Sequence, residues 1–356
     1  MAEVKLKTAI VGLAGPAADL LAAARQSERT EVVAVADEDR LTCATVARQY
    51  ACDAYEDYRQ LVLRSELDCV LVDLPPDRAV RFIRLAIRNG LHVLMLGPPA
   101  RSFEQAAELT RLAEHANVTF HVSNPARFTK AFANFKSLVQ ADAEQSCLLL
   151  TASCLVGPAR YPPHQEPVAP PTGGVLLTGG YEFLDQIVHC FGVPDQLYAA
   201  TTGSVGDRQQ RIYRAEDFAV LTLIFSRRFL GTLTVRRTSA SPAQLIELHC
   251  RDRTVAYRPL AGTVTETTGQ NTRKLRARKP SLGLAAAVEN FALSILAPDK
   301  NTPACTAGDN LKTMAVIEAA YLSARTGFPE QPRRILQMAG LSPPQDSLPQ
   351  AAGKNR

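Results

Sequence analysis

No apolar run in this sequence approaches the roughly 20 residues that a membrane span needs, and the polar opening Met1 to Lys7 does not read as a secretory signal. No membrane is therefore an expected partner, and the chain is expected to be cytoplasmic. No C-x-x-C occurs among the eight cysteines, Cys43, Cys52, Cys69, Cys147, Cys154, Cys190, Cys250 and Cys305, and they form no metal-like cluster. Such residues are expected to be reduced, mostly buried and without a metal. Charge of one sign is scarce as well: 40 Lys and Arg against 35 Asp and Glu leave a net charge of +5. The one dense basic run, Arg273 to Lys279, fits a solvated strand or hairpin edge, so nucleic acid is not an expected partner either. Internal repeats are missing, and the nearest approach to low complexity is the proline-rich stretch from Pro158 to Pro171.

What is present is 46% hydrophobic and 21% charged residues over 356 positions, enough for real cores and, at this length, for two domains. The organising stretch runs from Leu6 to Asp37. Thr8 to Val11 is an apolar β-type run ending at Gly12, Pro16 suits the first position of a helix, and Ala17 to Ala24 is strongly helix-forming. Val32 to Ala36 then reads as a buried parallel strand ending at a carboxylate, Asp37. Strand, glycine turn, helix, strand and acid is the outline of a dinucleotide-binding unit.

In the usual fingerprint G-x-G-x-x-G/A, the first glycine makes the turn, the second admits the pyrophosphate and the third lets the helix pack on the strand. The corresponding residues are Gly12, Ala14 and Ala17, so a methyl group stands where phosphates approach, with Gly15 beside it. Asp37 is placed to accept the ribose hydroxyls. With Glu38 and Asp39 adjacent it would repel a 2′-phosphate, which favours NAD over NADP, although Arg40 lies close by. A Rossmann-like unit that has kept its fold and lost its dinucleotide is the competing reading, since fold and site are separable.

The first half alternates expected helices and strands, as a doubly wound sheet requires. Helices are expected at Leu41–Gln49, Asp57–Ser65, Arg78–Asn89, Phe103–His115 and Thr129–Val139, and strands at Cys69–Leu74, His92–Leu96 and Thr119–Val122. Pro75 and Pro76 end a strand at its carboxyl edge, the edge where such sheets bind ligands. After about residue 145 the texture turns to β-rich runs, several alternating as in LTLIF and GTLTV, which fits an antiparallel sheet covered on one face. Helices are expected again at Leu284–Leu296 and Leu311–Ala324. The expected organisation is an N-terminal Rossmann-type domain over residues 1–125, a C-terminal α/β domain with an open, mostly antiparallel sheet over 126–330, and a tail over 331–356. The late helices are candidates to pack back onto the first domain. Apolar residues on both faces of Leu221 to Phe225 point to self-association through the second sheet.

Several segments carry a family resemblance: VVAVAD, ELDCVLVDLPPDRAVRFIRLAIRNGLHVLMLGPP, HVSNPARF, GGVLLTGGYEFLDQIVHCFG, EDFAVLTLIF with GTLTVRRTS, and AVENFALSIL followed by TAGDNLKTMAVIEAAYLSARTG. In their order and spacing over residues 5–328 the chain resembles the glucose–fructose oxidoreductase / inositol dehydrogenase / MocA family. The resemblance implies an NAD(P)-binding Rossmann domain joined to a C-terminal α/β domain, and hydride transfer on a sugar, polyol or related hydroxy compound. It also implies cofactor contacts from Gly12, Ala14, Gly15, Pro16, Ala17, Asp37, Leu74, Pro75, Gly97 and Pro98. The departures are specific. Where the family typically reads E-K-P this chain has Leu96, Gly97 and Pro98, so the usual catalytic lysine position is Gly97. Where it reads D-x-G-x-H-x-x-D, this chain has Thr178, Gly180, Glu182 and Asp185.

Hydride transfer from a C–H leaves a hydroxyl proton that a positioned base must take, and such a base contributes about 10²- to 10⁴-fold. Gly97 offers no acceptor and Thr178 a poor one. Glu182 is the candidate base, since desolvation can raise a carboxylate toward neutrality, and Asp185 is the second candidate catalytic residue. The competing readings are a Glu182 that merely faces a solvated cleft and an Asp185 bonded to backbone or to Arg127. If Tyr181 to Phe191 is helical, Glu182, Asp185 and His189 share a face, a geometry open to an acid–base relay or, though Glu-x-x-Asp-x-x-x-His is not a specific ligand pattern, a metal site; the blander and favoured account packs His189 under the sheet. Tyr161, His164 and Glu166 lie in the proline-rich loop expected at the cleft mouth. Two functions remain: an NAD-dependent oxidoreductase of altered mechanism, and a catalytically inactive relative that binds a dinucleotide or sugar ligand and acts as a sensor or regulatory partner.

Overall fold

The computed structural model describes residues 4–13, 17–63, 66–141, 147–157, 173–203, 216–225, 229–276 and 283–340. Six short strands form the first sheet: β1 (Leu6–Val11), β2 (Thr30–Ala36), β3 (Asp53–Tyr55), β4 (Cys69–Val72), β5 (His92–Leu96) and β6 (Phe120–Ser123). They pair in the order β3-β2-β1-β4-β5-β6, all parallel. Burial on both faces explains why the inner strands are largely apolar runs; all four residues of β4 are inaccessible. Helices α1 (Ala17–Gln26), α2 (Arg40–Tyr50), α3 (Tyr58–Val62), α4 (Pro76–Arg88) and α5 (Phe103–His115) connect them. Their starts are chemically marked: the Asp39 side chain accepts from Leu41 and Thr42 amides, Ser102 accepts from Gln105, and Pro76 opens α4. Strand order reverses between β1 and β4, so a crevice opens at the carboxyl ends of those strands.

A 3-10 turn at Pro125–Phe128 and α6 (Lys130–Ala141) lead into the second sheet. Its strands are β7 (Cys147–Val156), β8 (Gln196–Thr202), β9 (Phe218–Phe225), β10 (Phe229–Arg237), β11 (Ala243–Cys250), β12 (Thr254–Arg258), β13 (Thr263–Thr268) and β14 (Asn271–Arg276). Their order is β14-β13-β12-β11-β7-β10-β9-β8, antiparallel throughout except for the parallel pair β7 and β10. Leu221, Leu223 and Phe225 are buried on the face covered by helices, which include α7 (Val175–Thr178) and α8 (Tyr181–Phe191). On the other face Tyr198, Phe218, Val220 and Leu230 stand exposed.

The helices after the second sheet, α9 (Leu284–Leu296), α10 (Ala307–Thr326) and α11 (Pro332–Met338), complete the order. Leu284, Val288, Phe291 and Ala292 of α9 join one apolar cluster with Ile10, Leu20 and Leu21 of the first sheet and α1. Full burial of a side chain of this size contributes about 1.5–3 kcal/mol, so this return holds the two halves of the chain together. Neither β3 nor α11 was expected from the sequence. β3 has three half-buried or exposed residues and carries no apolar run. α11 lies in what reads as an arm, anchored by Leu336 in the core and by the Leu197–Glu330 bridge just before it. Arg273–Arg276 do lie on the sheet-edge strand β14, while residues 277–279 of that basic run fall outside the described residues. Among the described residues no helix is long and apolar enough to cross a membrane.

Candidate functional site

The turn after β1 is built on Gly12. Its φ is +83°, and a Cβ there would stand 2.1 Å from the Asp73 carbonyl oxygen, so only glycine lets the ends of β1 and β4 pack together. Leu74 adds to that packing, its Cδ2 3.0 Å from the same point. Ala14, Gly15 and Pro16 lie outside the described residues, and Ala17 opens α1. Asp37, at the carboxyl end of β2, is 7% exposed, and its two oxygens accept from the Leu13 amide at 2.6 Å and the Asp39 amide at 2.8 Å. A carboxylate has about four lone-pair sites, so bracing the turn leaves Asp37 acceptors for a further donor.

Beyond Asp37, exposed ion pairs join Glu38 to Arg78 and Arg40 to Glu56, each at 2.8 Å. A cavity of about 610 Å³ opens beside them, lined among others by Glu38, Tyr58, Asp77, Arg78, Arg81 and Arg101. The Asp39 charge is spent on capping α2, including a 2.8 Å bond from Thr42 Oγ1. The remaining cofactor candidates sit on the same sheet edge. Pro75 and Pro98 follow β4 and β5, and Gly97 adopts φ +74° with nothing within 4 Å of a Cβ.

α8 delivers the other candidates. It is helical over Tyr181–Phe191, so Glu182, Asp185 and His189 do run along one side, yet each meets different company. Asp185 is held in a closed network: Arg127 binds both its oxygens, through Nε at 2.8 Å and through Nη2, while Asn124 Nδ2 donates at 2.7 Å and Thr313 Oγ1 at 3.0 Å. Burial opposes the Arg127 charge, but the Asp185 carboxylate overcomes that and holds the guanidinium above its ordinary range. His189 accepts from or donates to Lys136 Nζ at 2.8 Å according to its tautomer. Burial, Arg127 and Lys136 lower its pKa to about 4, so the ring is neutral and the ammonium is the donor.

Glu182 faces the crevice, and Asn124 at the end of β6 ties its carbonyl to the sheet edge at 2.7 Å. Its side chain is exposed, yet crowding by protein, then the Asp185 and Asp73 charges, raises its pKa to about 7. Exposure and crowding pull in opposite directions: water that reaches the carboxylate tempers the desolvation. Asp73 is a group that sequence reasoning missed. It ends β4, its Oδ2 is buried with no hydrogen-bond partner, and burial raises its pKa to about 7. The available signal was a carboxylate closing an otherwise apolar strand, CVLVD, directly opposite the glycine turn. Ser123 Oγ, at the end of β6, is a buried hydroxyl likewise without a partner.

Residues 6–124 match the GFO_IDH_MocA family, "Oxidoreductase family, NAD-binding Rossmann fold". Over those residues the chain belongs to the Gfo/Idh/MocA oxidoreductase family. The chain is 24% identical to D-xylose 1-dehydrogenase (NADP(+)) 2 of Haloferax volcanii, over 89% of this chain and 97% of that protein. Among solved structures it resembles an oxidoreductase from Agrobacterium radiobacter in complex with NAD+, L-tartaric acid and magnesium: TM-score 0.79, 18% identity, covering 94% of this chain and 100% of the other. It also resembles aldose-aldose oxidoreductase from Caulobacter crescentus complexed with glycerol, at TM-score 0.77 and 20% identity over 92% and 99% of the two chains. At these identities the structural likenesses speak for the Gfo/Idh/MocA fold.

Among the described residues, no group of three His, Cys, Asp or Glu side chains is disposed to hold a metal in this family member. Tyr161, His164 and Glu166 lie outside the described residues.

Proposed function

We propose that this chain is an NAD(P)-dependent oxidoreductase that moves a hydride between the nicotinamide and a hydroxyl-bearing carbon of a sugar or polyol, with Glu182 as its proton acceptor. The observation that carries the reading is an exposed Glu182 within electrostatic reach of Asp73, whose Oδ2 is buried without a partner, with both carboxyls shifted upward. A base poised near the operating pH is what general base catalysis needs. The residues fit a dinucleotide: Gly12 holds a turn at the carboxyl end of β1, Asp37 retains acceptor capacity for ribose hydroxyls, and the buried Asp73 Oδ2 lacks a partner. Leu74, Pro75, Gly97 and Pro98 would line the same edge. When bound, the nicotinamide accepts or returns the hydride. Glu182 takes the hydroxyl proton as the carbonyl forms; crowding by protein, then the Asp185 and Asp73 charges, raise its pKa toward that task.

Asp185 is not the base in this scheme. Its oxygens are occupied by Arg127, Asn124 and Thr313, and it fixes α8 so that Glu182 faces the crevice. NAD is the preferred form, because Asp37 and Glu38 stand at the ribose end, where Arg78 is paired to Glu38 and Arg40 to Glu56. The sugar or polyol class rests on the relatives named above. The empty position at Gly97 favours the second reading, a non-catalytic relative that binds the same ligands.

One experiment separates them. NAD and NADP are titrated calorimetrically, sugars and polyols are screened for NADH formation, and Glu182→Gln is compared with the unmodified protein. The expected result is tighter binding of NAD, turnover of at least one substrate, and an approximately 10²- to 10⁴-fold loss of kcat in the variant at unchanged NAD affinity. Absence of turnover with every substrate, alongside intact NAD binding, establishes the non-catalytic reading instead.

A further inference from the structure

Cys147 and Cys250 are 103 positions apart in sequence, yet their Sγ atoms lie 3.3 Å from each other. The second sheet brings them together. β7 and β11 pair antiparallel, and the register sets Cys250 opposite Cys147, after a shift between His249 and Cys250. Cα atoms facing each other across an antiparallel ladder are about 4.5–5.5 Å apart, inside the roughly 4.4–6.8 Å that a disulfide spans. Closing the sulfurs from 3.3 Å to the usual separation of about 2.05 Å needs a movement near 1.3 Å, which side-chain rotation supplies without moving the strands.

Cys52 and Cys190 are half-buried like this pair, so the 3.3 Å approach of the two sulfurs, rather than exposure alone, sets Cys147 and Cys250 apart. Cys43, Cys69, Cys154 and Cys305 are buried, and burial raises the thiols of Cys69 to about 12 and Cys154 to about 11. Cys190 is likewise pushed up to about 12 by burial. Cys147 and Cys250 are half-buried, at the first residue of β7 and the last of β11, where reagents in solvent have access. Next to them the Cys250 amide donates to the Arg253 carbonyl at 2.8 Å, so the β11–β12 turn holds Cys250 in place.

We propose that Cys147 and Cys250 form a thiol–disulfide exchange site whose oxidant is a low-molecular-weight disulfide of the glutathione type. One protein thiolate attacks a sulfur of the oxidant, breaking its S–S bond and releasing one thiolate. The second protein thiolate then attacks the mixed disulfide, forms the Cys147–Cys250 bond and releases the other thiolate. Two protein thiols are oxidised, one small disulfide is reduced to two thiols, and the two protons lost by the cysteines leave with the products. The bond closes a long loop and joins the start of β7 to the β11–β12 hairpin.

The full-length protein is incubated under native conditions with oxidised glutathione, blocked with a maleimide, digested and mapped by mass spectrometry, and its thiols are titrated in denaturant. The expected result is one linked peptide joining Cys147 to Cys250, six of the eight thiols remaining, and full reversal by dithiothreitol. The oxidised form should also unfold at a higher urea midpoint than the reduced form. Cys147→Ser and Cys250→Ser should each block the link and instead carry one glutathione on the surviving cysteine. Retention of all eight thiols, a link between other cysteines, or glutathione persisting as an adduct on the unmodified protein would overturn the proposal. The map of the unmodified protein decides by itself if either variant fails to fold.

Discussion

Removing Arg127 should cost the protein several kcal/mol of stability, and removing Arg127 together with Asp185 should cost much less than the two changes separately. The side chains of Arg127 and Asp185 are 5% and 3% exposed, so water cannot replace a lost partner. In Arg127→Leu the Asp185 carboxylate keeps Asn124 and Thr313 but loses both guanidinium contacts and its counter-charge. In Asp185→Leu the guanidinium keeps the Ala304 carbonyl at 3.0 Å and nothing anionic. Breaking a buried pair from one side costs about 3–5 kcal/mol, whereas replacing both members by apolar groups is often neutral, because no uncompensated charge remains. The double variant should therefore recover most of the loss, a coupling well above the few tenths expected of independent sites. Urea unfolding followed by circular dichroism reads this directly, as a shifted midpoint at unchanged m-value. Single variants that each lose under about 1 kcal/mol, or a double variant that loses their sum, would refute the reasoning. Asp185→Asn with intact stability and no turnover would move Asp185 from a structural tie to the reaction itself.

Raising the pH should weaken the fold and activate the site. Asp73 has an ordinary pKa of 3.8 and a folded value of about 7, so the folded chain holds a proton that the unfolded chain has lost, and stability should decline as pH rises from about 4 to about 7. Asp73→Asn should flatten that decline in urea midpoints measured across the range. Activity should instead rise with pH through about 7 as Glu182 ionises, and Asp73→Asn should move that limb to lower pH in kcat profiles; an unmoved limb would separate the two carboxylates. Gly12→Ala should disrupt the β1 turn, since its Cβ would stand 2.1 Å from the Asp73 carbonyl oxygen, and calorimetry should find NAD binding lost or sharply weakened. The open face carrying Tyr198, Phe218, Val220 and Leu230 is expected to be covered by a second copy of the chain. Light scattering at micromolar concentration should then give an oligomer that Val220→Lys weakens, and a monomer for the unmodified protein would count against it.

Local sequence was sufficient for whatever depends on neighbours along the chain. The buried parallel strands announce themselves as apolar runs of four to seven residues, because both faces are covered. Asp37 and Gly12 are legible because strand, glycine turn, helix, strand and acid follow one another within one short stretch of chain, and the alternation of β9 shows which of its side chains face the core. Three-residue β3 left no such mark, and α11 is held by Leu336 and the strand-like bridge of Glu330 to Leu197, contacts with distant parts of the chain. The site divides the same way. Glu182 and Asp185 stood out in sequence, but three residues of helix separate a carboxylate in the crevice from one locked to Arg127, and only packing assigns which is which. Asp73 acquires its shifted pKa from burial by surrounding elements, and Cys147 meets Cys250 only because β7 lies between β10 and β11. Charge, size and periodicity are written residue by residue; desolvation and long-range pairing exist only once the chain has closed on itself.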